Sequence, residues 1–152
     1  MGLYRVFARA EDVPAGEQIQ SWLSELAPSS QAELAVEAGE WVRIDWTVGS
    51  GAPLILERYH VREEGLRAEL NSWAGVLETC DDSPHHGPLM ERTIQACQLF
   101  ILSLPLDRAD EAALDHLCET LCRRLAGHLD GFYQIDDRGF FEADGTLLVQ
   151  ER

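Results

Sequence analysis

Two rhythms of apolar residues run through this chain. In the first, Ile19, Trp22, Leu23 and Leu26 fall at i, i+3, i+4 and i+7, which places them on one face of a helix lying on a core. Asp12-Val13-Pro14 supplies a start, with proline early where its missing N–H is not needed, and Pro28 supplies a stop, so a helix is expected over 14–27. Leu66, Leu70, Trp73 and Leu77 keep a similar register and predict a second helix over 63–79. Pro88 can open a short helix to about Cys97. Leu114, Leu117, Leu121 and Leu125 form the stripe of the longest helix, expected over 108–128 with Asp107 as its N-cap and Arg123-Arg124 near its negative end.

The second rhythm has a period of two. In Trp41 to Val48, the residues Val42, Ile44, Trp46 and Val48 alternate with Trp41, Arg43, Asp45 and Thr47, as in a strand with one face on the core and the other wet. Glu33 to Ala38 and Leu54 to Val61 flank it across Gly-containing turns, so 33–61 reads as a meander. Leu3 to Ala8 and the apolar run Leu99 to Leu104 read as further strands. The Asp-Gly turn chemistry of Asp136 to Gly139 and Asp144-Gly145 divides 131–150 into a second, three-stranded meander. The expected fold class is α+β, a mostly antiparallel sheet with helices packed on it in a single domain. Halves 1–61 and 98–152 share an element order, with a helical insertion at 62–97, which leaves room for a pseudo-repeat of strand-helix-strand-strand units. In architecture alone, and through no signature residue, that order resembles the tandem strand-helix-strand-strand folds, among them the gyrase-inhibitor-like ligand-binding proteins.

Charge changes the picture more than composition does. The chain has 152 residues, 45% hydrophobic and 26% charged, ordinary for a globular domain. All 12 of its basic residues are arginine, so it is lysine-free, and 27 acids bring the formal charge to −15. The acids spread over both halves. Such a surface repels phosphate, and no arginine run is longer than Arg123-Arg124, so nucleic acid is not an expected partner. No apolar stretch is long enough for a membrane span, no signal-peptide layout opens the chain, and four cysteines in a domain of this size read as reduced thiols. A cytoplasmic location is the expectation.

Three groups of residues offer chemistry. The outward face of Trp41, Arg43 and Asp45, extended toward Arg58 and His60, combines an aromatic with arginine, a pairing enriched at binding hot spots; cross-strand ion pairing with Trp41 covered is the competing reading. The loop Asp81-Asp82-Ser83-Pro84-His85-His86 gathers acids and imidazoles without any recognisable catalytic motif. Cys118 and Cys122, four apart, flank a leucine stripe, where cysteine serves as a small apolar residue rather than as a zinc ligand. No catalytic residue, cofactor or metal site is assigned, and the oligomeric state is left open. Partner-binding candidates are Trp41, Arg43, Asp45, Asp81, Asp82, His85 and His86. The expected function is binding of a basic protein, as immunity-type inhibitors bind theirs; the alternative is a small-molecule binder or hydrolase with a pocket near His85-His86.

Overall fold

A computed structural model describes residues 2–151. In chain order its elements are β1 (Leu3–Ala8), α1 (Gly16–Leu26), β2 (Gln31–Glu37), β3 (Glu40–Thr47), β4 (Leu54–His60), α2 (Leu66–Glu78), α3 (His86–Gln95), β5 (Gln98–Ser103), α4 (Ala112–His128), β6 (Gly131–Ile135), β7 (Gly139–Glu142) and β8 (Leu147–Gln150). A single 3-10 turn, Leu106–Arg108, precedes α4. The eight strands form one sheet in the order β2-β3-β4-β5-β1-β6-β7-β8, antiparallel at every pairing. The fold is α+β, and both expected meanders are present. Among the described residues no helix is long and apolar enough to cross a membrane.

The meanders attach to opposite sides of a central β5-β1 pair: β4 pairs with β5, and β6 pairs with β1. The connection β5-α4-β6 therefore steps over β1, and β1-α1-β2 steps over β5, β4 and β3. In space the two halves of the chain interleave in one sheet.

Alternation along the strands assigns the faces. Tyr4, Val6, Ala8, Ile44, Trp46, Leu54, Leu56, Phe100, Leu102, Tyr133 and Ile135 form one core with Ile19 and Leu23 of α1 and with Leu114, Cys118, Leu121, Cys122 and Leu125 of α4. Phe7, Leu99, Phe132, Phe140 and Val149 point the other way, into a second core with Leu66, Leu70 and Leu77 of α2 and Leu89 of α3. Trp73 of α2 meets Phe7 and Phe140 edge-on, at centroid distances of 6.0 and 5.9 Å. On the first face α1 and α4 together reach from β2 to β6. On the second, α2 and α3 sit over β1, β6, β7 and β8, α2 reaches β4 only at Tyr59, and among the described residues no helix covers the rest of the β2-β3-β4 side.

Two local expectations change. The β2-β3 turn has positive φ at both Ala38 (52°) and Gly39 (82°), the type I′ geometry that suits a tight hairpin. Just beyond it the register shifts: Ala35 pairs with Arg43 but Val36 with Trp41, so Val42 is an extra residue, a β-bulge. The bulge turns Trp41 to the core face, where it is 3% exposed, its ring against Phe100 and its indole N–H donating to the Pro14 carbonyl at 2.8 Å. Strict alternation from Ile44 and Trp46 would turn Trp41 outward, and the extra residue reverses it. The N-cap of α4 is Glu111, not Asp107, which lies in the 3-10 turn. Buried Arg108 causes the delay, because its guanidinium donates to the Val48 and Ala52 carbonyls and to Glu111, tying the chain to the β3-β4 loop before the helix can begin.

Candidate functional site

Cross-strand registers define the uncovered part of the second face row by row. One row runs Arg43, Glu57, Ile101, Arg5; a second runs Glu33, Asp45, Ile55, Ser103; a third joins Tyr59 to Leu99. Ile55, Tyr59 and Ile101 are partly exposed, an apolar band along β4 and β5. At one end of the band, Tyr59, Leu66, Leu99 and Ile101 floor a groove of about 370 Å³ whose rim carries Glu63 and Glu64 from the turn before α2 and Glu69 from its first turn. At the other end, Pro53, Ile55, Ser103 and Pro105 line a shallower groove of about 220 Å³. Arg5 closes the band on the β1 side, its guanidinium 4.7 Å from the Trp73 ring centre and bonded to Gln134 and Asp136 at 2.8 and 2.6 Å.

Charge on this face is strongly one-sided. Glu33, Asp45, Glu57, Glu63, Glu64 and Glu69 surround the band, and the two arginines in its rows are already bonded, Arg43 to Asp45 at 2.8 Å and Arg5 to Gln134 and Asp136. Burial, reinforced by neighbouring Glu57, pushes the Tyr59 phenol above its usual range, so it stays a neutral hydroxyl beside these carboxylates. The surface thus offers an apolar floor, a phenol and a carboxylate rim.

The sequence-derived candidates divide. Arg43 and Asp45 lie on this face, and Trp41 lies beneath it in the core. Arg58 and His60 point to the first face: Arg58 bonds Gln98 at 2.8 Å, and Gln98 donates to the Ala10 and Asp12 carbonyls, a buried polar clasp. Burial and the nearby Arg62 and Arg58 lower the His60 pKa, and its Nδ1 accepts from the Arg62 backbone N–H at 3.1 Å. The loop with Asp81, Asp82, His85 and His86 is elsewhere. Ser83 donates to the Leu148 carbonyl of β8, and His86 Nδ1 lies 2.7 Å from the Ser83 carbonyl, so the loop borders the far edge of the sheet. Six strand spacings separate β3 from β8, about 29 Å. Arg43 and Asp45 do not share a site with His85 and His86.

Sequence reasoning missed Tyr59, Glu57 and Glu69, because the alternation of β4 showed an outward face but not that the turn and helix following it would wall that face with acids. It also missed a polar cluster over the sheet. The Tyr4 hydroxyl donates to Asp115, Arg138 bridges Asp115 and Glu119, and the Tyr133 hydroxyl donates to Glu119 at 2.8 Å. Both phenols are held well above their usual range, chiefly by burial and then by these carboxylates. Each member has a partner within the chain, which makes this a brace between α4, β1 and β6.

Cys118 and Cys122 are buried beside Leu121 and Leu125, as their place in the stripe predicts. Burial pushes the Cys118 thiol up to about 12 and the Cys122 thiol well above its usual value, so neither is a nucleophile at neutral pH. Among the described residues no three His, Cys, Asp or Glu side chains converge as they would to hold a metal ion. No family model, no curated protein and no solved structure matches this chain.

Proposed function

We propose that this protein is a binding module that recognises a basic protein partner, in the manner of a charge-complementary inhibitor, and that the uncovered face of β3, β4 and β5 is the recognition surface. The observation that carries the reading is that face itself: an apolar band with a carboxylate rim, on a molecule of net charge −15. Long-range attraction steers a basic partner toward such a surface and speeds encounter, and the apolar centre slows dissociation once contact is made. Arg43 and Tyr59 are the side chains suited to anchor it, since each combines planar contact area with a polar tip. The four free thiols support a cytoplasmic setting.

The test is capture from lysate of the source cell at about 20 mM salt, followed by native mass spectrometry and association kinetics. A stoichiometric basic protein whose association rate falls at least tenfold between about 20 and 500 mM salt is the expected result. Recovery of no basic protein, or of a small ligand whose binding ignores salt, would overturn it.

A further inference from the structure

We infer that the part of the partner seated on this face is an amphipathic α-helix of about 13 residues, with an apolar stripe flanked by arginine or lysine, lying along the β4-β5 ladder beside α2. The inference rests on the basic-partner reading and deepens it.

Three observations support a helix. First, the neighbouring stretch of the same face is covered by helices: α2 sits on Leu99 and Phe7 through Leu66 and Trp73, so the sheet carries a helical layer that ends at the β5 side. Second, the partly exposed side chains Ile55, Tyr59 and Ile101 form a narrow band along the strands, and both grooves lie on it. From Pro53 to Tyr59 the ladder is six residues long, about 20 Å at 3.3 Å each, and a helix covers that in about 13 residues. Third, the rim is acidic at the Tyr59 end, through Glu63, Glu64 and Glu69, and on the β2-β3 side, through Glu33 and Asp45, while Arg5 on the β1 side is already held by Gln134 and Asp136. A basic amphipathic helix sets an apolar stripe on such a band and turns its cations to the acids along the β2-β3 side and at the α2 end.

Charge also decides against a second copy of this chain. Two such faces brought together would set Glu57, Glu63 and Glu64 of one against the same carboxylates of the other, with Arg43 of each already held by its own Asp45. Like charges so placed are strongly unfavourable. A basic helix neutralises them.

The test titrates isotope-labelled full chain, followed by amide chemical shifts, with three synthetic peptides of about 15 residues. One carries leucines at i, i+3, i+4 and i+7 with arginine on both flanks; the second has the same composition in strict leucine-arginine alternation; the third is the helical peptide with glutamate in place of arginine. The expected result is saturable binding of the first alone, with shifts centred on Ile55, Glu57, Tyr59, Ile101 and the first turn of α2. Ile101→Asp should weaken it at least tenfold. Because Ile101→Asp can perturb the sheet, Glu57→Arg with Glu64→Arg is the second variant, expected to weaken binding about tenfold at low salt and far less at about 0.5 M. Equal or tighter binding of the alternating peptide, shifts confined to other elements, or no binding of the helical peptide at millimolar concentration would overturn the helix. Retention of the cellular basic partner by both variants would overturn this site and leave the basic-partner reading standing. Absence of any basic partner for the unaltered protein would overturn both.

Discussion

Single residues here behave according to what surrounds them rather than what they are. Tryptophan at the start of β3 and cysteine within α4 both have chemistry to offer, and both are in the core, Trp41 at 3% exposure and Cys118 at 0%. For the cysteines burial has a measurable consequence. A thiolate needs solvation, so desolvation holds the Cys118 and Cys122 protons on, while Cys80 and Cys97 are partly exposed. At about pH 8 a thiol reagent should modify two cysteines per native chain and four in denaturant, with Cys80 and Cys97 identified as the fast pair by peptide mapping. The linkage follows in sign: a raised folded-state pKa means the buried thiols contribute their stability below the unfolded value of about 8.5 and lose it as pH climbs above. Rapid native modification of Cys118 would show that α4 opens locally.

At the scale of elements, the connections are held by arginines more than by caps. None of the four α-helices has a side-chain hydrogen bond at its N-cap. Arg108 does the equivalent work for α4 by satisfying Val48, Ala52 and Glu111 at 2.7, 3.1 and 2.9 Å. Arg92 clasps Glu142 with two bonds of 3.0 Å and reaches the Gly131 carbonyl, holding α3 to the β6-β7 pair. The planar fork of Arg108 reaches three acceptors that a single ammonium cannot, so Arg108→Lys should destabilise the fold by about 2 kcal/mol, read as a lowered urea midpoint with unchanged m. A variant as stable as the parent would mean that water replaces the fork without cost.

Over the whole molecule, self-repulsion competes with pairing. Among the described residues nine ion-pair contacts are formed, and most involve at least one partner more than a third exposed. Pairs of that kind contribute about 0 to 1 kcal/mol each and weaken with salt. The 15 unbalanced negative charges are also screened by salt, over a length of about 3 Å at 1 M against about 30 Å at 0.01 M. Repulsion among so many excess charges should dominate, and the melting temperature should rise by several degrees between about 0.02 and 0.5 M sodium chloride in calorimetry. A fall would show that the ion pairs outweigh the repulsion.

Local periodicity determined most of the elements of this protein. The leucine stripe of α4, the i, i+3, i+4 pattern of α1 and the alternation of β3 and β4 reveal both the type of element and the side it buries, because each depends on residues a few positions apart. Bounds shifted by a few residues where longer-range contacts intervened: α2 begins at Leu66, and α4 waits for Arg108 to meet the β3-β4 loop. Trp41 was misplaced because one extra residue in a strand reverses every side chain beyond it, and nothing in Trp41-Val42-Arg43 marks a bulge. The candidate surface was half legible: Arg43 and Asp45 were outward by alternation, whereas Glu57, Tyr59, Ile101 and the acids of α2 became a surface only when β4 paired with β5 and α2 stopped short of covering them. A period of two says that a strand has two faces. Which face lies open depends on strand order and on where the helices end, and those are settled by contacts between residues far apart in the chain.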